Sequence, residues 1–300
     1  MQVRFGKCDY DFPSAELREL RESNDILDDA VALRARMAED GYLLIRGLID
    51  RDKVLAARSR ILQHMDEQGT LSPDQPVLEG VMPRGGKQAH VIGKRGVSHD
   101  AEVRGVLESD ELFNFWQRYY GEPVRTFDYK WLRAVANEEF TGCHYDVVYM
   151  GRGSRRLHTC WLPIADLPIS QGTLCICVGS HNLPGFAKLR ETYGNMDVDR
   201  DLIDGWFSSN PREITESFGG YWATTNFRAG DMLTFGLYTM HASTTNVTDR
   251  WRISCDVRYQ PEADSVDERW IGETPLAHYA WNDPKSKLIA MSEARETWGV

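Results

Sequence analysis

The chain has 300 residues, 42% of them hydrophobic and 27% charged, and a formal net charge of -10. That length can bury a sizeable core and fits one large domain with additions. The negative balance argues against nucleic acid as a partner, because phosphates need a basic footprint, and no segment has the uninterrupted apolar length of a membrane-spanning helix. No nucleic-acid and no membrane partner is expected.

The opening stretch "MQVRFGKCDYDFPSAELREL" mixes charges from its start and lacks the short apolar core of a secretion signal, so a cytoplasmic location is expected. From Ile26 to Glu39 the apolar spacing fits an amphipathic helix with Asp25 as its cap and Gly41 as its stop. "GYLLIRGLI" then reads as a short buried strand, and Asp50 can cap a second helix over about Arg51 to Gln68 that Gly69 ends. Residues 71 to 100 are rich in Gly, Pro and charge around "MPRGGKQAHVIGKRG", a loop long enough to suggest function or disorder. A third helix is expected from about Ser109 to Tyr120.

After Gly121 the character changes to short β-rich runs near Thr126 to Val135, His144 to Met150, Leu157 to Ile164, Thr173 to Val178, Asp231 to Leu237 and Trp251 to Gln260. Such runs, parted by Gly, Pro and Asn turns, predict a mainly β sandwich or jelly roll carrying N-terminal helices. Residues 183 to 228 read as an insertion and 261 to 300 as a tail, so the expected unit is one domain: a helical preface and loop over 1–122, a core over 123–260, and the tail. The cysteines Cys8, Cys143, Cys160, Cys175, Cys177 and Cys255 form no CxxC pair, and five lie in apolar runs, as reduced core thiols do. Cys175 and Cys177 share a strand face, which leaves a soft-metal site as the alternative to packing.

The chemistry concentrates in "TGCHYDVVYM". In a strand, residues two apart share a side, so His144 and Asp146 would offer an imidazole and a carboxylate to one point. His241, at the end of the apolar run in "GDMLTFGLYTMHASTTN", is the candidate third ligand; alone it would read as a histidine bonded to a backbone carbonyl. Two histidines and a carboxylate make the facial triad of non-haem Fe(II) oxygenases, with open positions for chemistry. The strand Trp251 to Tyr259 alternates and puts Arg252, Ser254, Asp256 and Arg258 on one face. Either that face meets water, or Arg252 and Ser254 face a cavity in which they bind a carboxylate, such as the far end of a 2-oxo acid chelated to iron.

With its His-x-Asp pair, the distal His241 and an arginine eleven positions later, the sequence resembles the phytanoyl-CoA dioxygenase family of Fe(II)- and 2-oxoglutarate-dependent oxygenases. The resemblance runs from "EDGYLLIRGLID" to "RYQP". It implies a double-stranded β-helix, that is, a cupin-like jelly roll, in which His144, Asp146 and His241 bind iron and Arg252 pairs with the distal carboxylate of 2-oxoglutarate. Ser243 resembles the family's cofactor-contacting serine and Trp161 its tryptophan beside the cosubstrate. Thr159 shares the face of Trp161. Lys94 is similar to an upstream basic cofactor contact, with Arg95 or Lys87 as alternatives. His181 in "GSH" belongs to a turn and not to the ligand set. The implied reaction uses O2 and 2-oxoglutarate, releases succinate and CO2, and hydroxylates or desaturates an unactivated C–H bond; a carboxylate at 146 argues against halogenation.

The substrate is less legible. Arg152, Arg155 and Arg156, with Arg84, Lys87, Lys94 and Arg95, would attract an anionic small molecule if they line a mouth, or else they are solvated turn residues. Trp206, Phe207, Tyr221 and Trp222 would form an apolar lid or pack the insertion onto the core. Two rival readings are a cupin-like metalloenzyme that does not use 2-oxoglutarate and a non-catalytic binding module that retains both ligands. A monomer or homodimer is expected.

Overall fold

The alternating apolar runs become strands of two facing sheets. The computed structural model describes residues 1–85, 89, 96–280 and 287–300. In chain order the strands are β1 (Gln2–Phe5), β2 (Cys8–Asp11), β3 (Leu17–Glu19), β4 (Tyr42–Ile45), β5 (Val124–Thr126), β6 (Trp131–Val135), β7 (His158–Pro163), β8 (Leu174–Cys177), β9 (Trp222–Thr224), β10 (Met232–Gly236), β11 (His241–Ser243) and β12 (Arg252–Pro261). The helices are α1 (Ala30–Asp40), α2 (Arg51–Glu67), α3 (Ala101–Leu107), α4 (Asp110–Tyr120), α5 (Val147–Met150), α6 (Ala187–Glu191), α7 (Pro211–Phe218) and α8 (Met291–Trp298).

The major sheet runs β4, β10, β7, β12, β5, with β6 also paired to β12, and the minor sheet runs β11, β8, β9, β3. Within these sheets all pairs are antiparallel except β3 with β9. This is a jelly-roll core, and the two-residue period of its strands sorts side chains into three layers. Leu43, Cys160, Leu162, Ile253, Cys255 and Val257 leave the major sheet on the outside and pack against α1 to α4 through Leu33, Ile61, Val106 and Trp116. Cys175, Cys177 and Trp222 leave the minor sheet on its own outer side, toward the β1–β2 hairpin, the insertion and the tail. Between the sheets, Leu44, Trp161, Leu174, Ile176, Phe227 and Phe235 close one part of the interior with apolar side chains.

Several expected boundaries move. The first helix begins at Ala30, because Asp29 and not Asp25 caps it, accepting from the amides of Val31 and Ala32, while Asp25 pairs with Arg36. Gly41 ends it at φ 82°, as expected of a left-handed cap, and Asp50 and Ser109 cap α2 and α4. The hairpin β1–β2 and the short helix α3 were not anticipated; elements this short repeat their period too few times to announce themselves. The run from His144 to Met150 is not a strand. Cys143 and His144 form isolated bridges, the chain turns at Asp146, and Val147–Met150 is helical, so a buried apolar run was mistaken for a buried strand.

The six cysteines are free thiols, five of them buried, and Cys175 and Cys177 pack in the core. Among the described residues no helix is long and apolar enough to cross a membrane.

Candidate metal centre

Two of the ligand candidates are held together by the backbone itself. His144 and His241 form an antiparallel bridge, with the amide of each bonded to the carbonyl of the other. Their rings lie 4.1 Å apart between centroids. In each, Nδ1 lies against the carbonyl two residues earlier, Gly142 O at 2.7 Å for His144 and Thr239 O at 2.9 Å for His241. Nδ1–H donating to those carbonyls leaves Nε2 as the lone-pair atom of both rings, the tautomer a metal requires. Burial, reinforced by the neighbouring His241, pushes the pKa of His144 down to about 3, and burial lowers that of His241 as well, so both rings are neutral at physiological pH.

Asp146 arrives through the turn into α5. Its Oδ1 is 3.8 Å from His144 Nε2 and 3.7 Å from His241 Nε2. Its other oxygen, Oδ2, accepts from Thr159 Oγ1 and lies 3.5 Å from Arg258 Nη2. One oxygen is thereby tied to the protein and the other aimed at the two imidazoles. Burial alone would raise the pKa of this carboxyl, but Arg258, the two imidazoles and the Thr159 hydroxyl outweigh it and hold it below the usual carboxylate range. Among the described residues, His144, Asp146 and His241 are the group of three that could hold a metal, with all ligand atoms within 4.8 Å of one another. Two neutral nitrogens and one carboxylate oxygen, all delivered from one side, fit a divalent iron ion that keeps open positions.

Behind the triad, Thr159, Trp161, Leu174 and Arg252 line an inner pocket. Arg252 is 1% exposed, its Nη1 donates to Ser254 Oγ at 2.5 Å, and its Nε has no hydrogen-bond partner among the described residues. No carboxylate among the described residues pairs with it within 4.0 Å. Burial, then the nearby Arg133, push its pKa down to about 10, so it remains a cation at neutral pH. A buried, unpaired guanidinium is costly, and an anionic ligand offsets that cost.

In front of the triad lies an outer cavity of about 350 Å³, walled by Tyr129, Trp131, Tyr149, Met150, Trp206 and His278. Arg133 and Arg258 reach into both spaces. Arg133 Nε donates to Asp256 Oδ2 at 2.9 Å, and Arg258 stacks over Trp131 at 4.0 Å with its Nε unpartnered. His278 Nδ1 lies 2.8 Å from Asp199 Oδ2, and Asp199 Oδ1 accepts the amides of Tyr279 and Ala280, which pins this part of the tail to the insertion.

The structure thus brings His144, Asp146, His241, Arg252, Thr159 and Trp161 to one pocket. Ser254 touches it through Arg252. Ser243 does not line it; its Oγ accepts the amide of Thr141, which does. Lys94, Lys87 and Arg95 lie outside the described residues. The arginines after α5 are engaged elsewhere: Arg152 with Asp197, Arg155 with Tyr238, and Arg156 with Glu122 and Asp264. Of the aromatic residues in the insertion, only Trp206 lines the cavity; Phe207 and Trp222 are core, and Tyr221 lies under Arg18. In the sequence Arg258 shares the face of Arg252 without an evident task, and Arg133, Tyr129, Trp131 and His278 carry no local signal because distant pairing brings them here.

Residues 37–254 match the family profile described as phytanoyl-CoA dioxygenase (PhyH). Among curated proteins, the 1-deoxypentalenic acid 11-beta-hydroxylase of Streptomyces arenae is 25% identical over 256 residues, 79% of this chain and 83% of that protein. Its counterpart from Streptomyces exfoliatus is 24% identical over 269 residues, 82% and 86% of the two chains. Among solved structures, the epimerase SnoN in complex with Fe3+, alpha ketoglutarate and nogalamycin RO superposes with a TM-score of 0.54 at 20% identity, covering 87% of this chain and 92% of that one. EctD from S. alaskensis, solved with 2-oxoglutarate and 5-hydroxyectoine, gives 0.56 at 15% identity, covering 90% of each. These structures share the fold described above, and the profile spans most of its core; the chain belongs to the phytanoyl-CoA dioxygenase family of Fe(II)- and 2-oxoglutarate-dependent oxygenases.

Proposed function

We propose that this chain hydroxylates, or desaturates, an unactivated C–H bond of a small organic metabolite, consuming 2-oxoglutarate and O2 and releasing succinate and CO2. In this reading His144 Nε2, His241 Nε2 and Asp146 Oδ1 hold Fe(II), and Arg252 pairs with the distal carboxylate of 2-oxoglutarate. The observation that carries it is Arg252, a buried guanidinium without a carboxylate partner among the described residues, on the pocket wall shared with the three candidate ligands.

Bound iron supplies the oxidising chemistry by coupling O2 to the decarboxylation of 2-oxoglutarate. The protein's own groups do the rest. The Gly142 and Thr239 carbonyls fix the two imidazoles, Thr159 and Arg258 fix the carboxylate, and Ser254 orients Arg252 toward the cosubstrate. Trp161 walls the cosubstrate, Ser243 acts on it through Thr141, and Lys94 is a further basic contact in this proposal. The outer cavity receives the substrate and keeps water from the reacting bond. A carboxylate at position 146 occupies the place that a halide would need, which favours hydroxylation over halogenation.

The whole chain, 1–300, acts as one oxygenase domain in this proposal, cytoplasmic and either monomeric or homodimeric. The substrate is anionic; the curated relatives are named for hydroxylating a carboxylic acid. Anaerobic addition of Fe(II) and 2-oxoglutarate should produce a weak visible charge-transfer band, and succinate release across a metabolite library should identify the substrate. A folded protein that gives neither band nor 2-oxoglutarate turnover would sink the proposal.

A further inference from the structure

Arg133 stands out among the charged groups around the site. Its Nε is committed to Asp256, but its two Nη atoms have no hydrogen-bond partner among the described residues, and its side chain is 36% exposed where Arg258 is 2% exposed. Arg133 lines the outer cavity as well as the inner pocket, beside Trp131 on the same face of β6 and across the ladder from Ser254.

The charge balance of the site points the same way. Its lining contains three guanidinium groups, those of Arg133, Arg252 and Arg258, against two carboxylates, those of Asp146 and Asp256. A divalent metal and a dianionic cosubstrate cancel each other. One positive charge is left, and Arg133 is the guanidinium whose Nη atoms are uncommitted among the described residues. Most of the remaining wall is aromatic or apolar, with Tyr129, Trp131, Tyr149, Met150, Trp206 and Ala277 beside the polar Thr141 and His278. Trp206 exposes 42% of its surface, and Leu276 and Tyr279, which flank wall residues 277 and 278, expose 54% and 40%.

We propose that Arg133 anchors a single carboxylate on a lipophilic substrate, its free Nη edge gripping the acid while the aromatic wall holds the hydrocarbon against the metal. This inference rests on the oxygenase reading above and adds to it the class of substrate and the residue that selects it. Arg133 is a specificity-determining contact here, set apart from Arg252, which faces the inner pocket.

The test uses protein loaded anaerobically with Fe(II) and saturating 2-oxoglutarate. It is titrated with benzoate, adamantane-1-carboxylate and decanoate and with the primary amide of each, followed by tryptophan fluorescence, for which Trp131 and Trp206 are reporters in the cavity wall. At least one acid is expected to bind about ten- to a hundredfold more tightly than its amide, as a charge-assisted contact does. Arg133→Met should erase that preference while the affinity for 2-oxoglutarate is unchanged, and Arg133→Lys should keep part of it. The inference is overturned if no acid out-binds its amide, a comparison that needs no variant. It is equally overturned if Arg133→Met weakens 2-oxoglutarate and not the acid, which would assign Arg133 to the cosubstrate. Because the charge-transfer band is recorded in the same sample, failure of the oxygenase reading shows as loss of the band and failure of this inference does not.

Discussion

His144 and His241 exchange both of their backbone hydrogen bonds, the amide of each reaching the carbonyl of the other at 3.0 and 3.1 Å. Two ligand candidates from distant parts of the chain are thus placed by main-chain pairing, and the Nδ1 contacts to the Gly142 and Thr239 carbonyls orient their rings. The site is preorganised before any ion arrives.

The carboxylate is placed differently, by Thr159 and Arg258 on its far oxygen. Thr159→Val should therefore weaken Fe(II) binding by about tenfold, the usual scale for losing a partner of a ligand, with the fold intact. Asp146→Ala should cost more than about a hundredfold. Anaerobic Fe(II) titration measures both, and equal affinities for wild type and Thr159→Val would refute the positioning role.

Arg252 makes a separable prediction. Arg252→Met should raise the 2-oxoglutarate concentration needed for half saturation by roughly a hundredfold, the loss of a desolvated charge pair, and leave Fe(II) affinity unchanged. Since Arg252 has no carboxylate partner among the described residues, the substitution should not destabilise the protein. An unchanged requirement for 2-oxoglutarate would move the anchor to another residue.

The tail offers a third. Asp199 gathers Arg269, His278 and the amides of Tyr279 and Ala280, so Asp199→Ala should loosen the wall that His278 contributes. Substrate KM should rise while affinities for iron and 2-oxoglutarate hold. Hydrogen exchange should speed at the Tyr279 and Ala280 amides, and unchanged exchange there would show that the carboxylate does not pin the tail.

Acid should destabilise the protein partly through His158, a half-buried ring with Nδ1 2.6 Å from Tyr120 Oη, whose pKa burial pushes down to about 4. The unfolded chain protonates this imidazole below about pH 6.5, whereas the folded one resists until about 4. Between those values the unfolded state binds more protons, so stability falls as pH falls, with a slope of at most about 1.4 kcal/mol per pH from this group. His158→Gln should flatten the pH dependence of the urea midpoint in that window. A slope that stays the same would mean that other groups carry it.

The candidate metal triad and Arg252 are legible in the sequence because each sits in a short stretch whose neighbours are apolar, and because their spacing along the chain is characteristic. The reason given for their convergence was partly wrong. His144 and Asp146 do not share a strand face; a turn at Asp146 into α5 brings the carboxylate round. Arg258 was within reach, since it lies three strand periods from Arg252 on the same face of β12. Arg133 and His278 were not, because only the β6–β12 register and the docking of the tail on Asp199 place them at the cavity. The fold class followed from strand spacing, whereas the start of α1 hung on which of two aspartates caps it.

The two chambers draw on different parts of the chain. Both share Arg133, Thr141, His144, Asp146 and Arg258; the inner one adds residues of the core strands β7, β8, β11 and β12, while the outer one adds Tyr149 and Met150 from α5, Trp206 from the insertion, and Ala277 and His278 from the tail. Such a division lets descent act on the halves at different speeds. Loops and tail can drift and recruit new compounds while the strands conserve the reaction, so relatives at 25% identity can inherit the same oxidation and part company over what they oxidise.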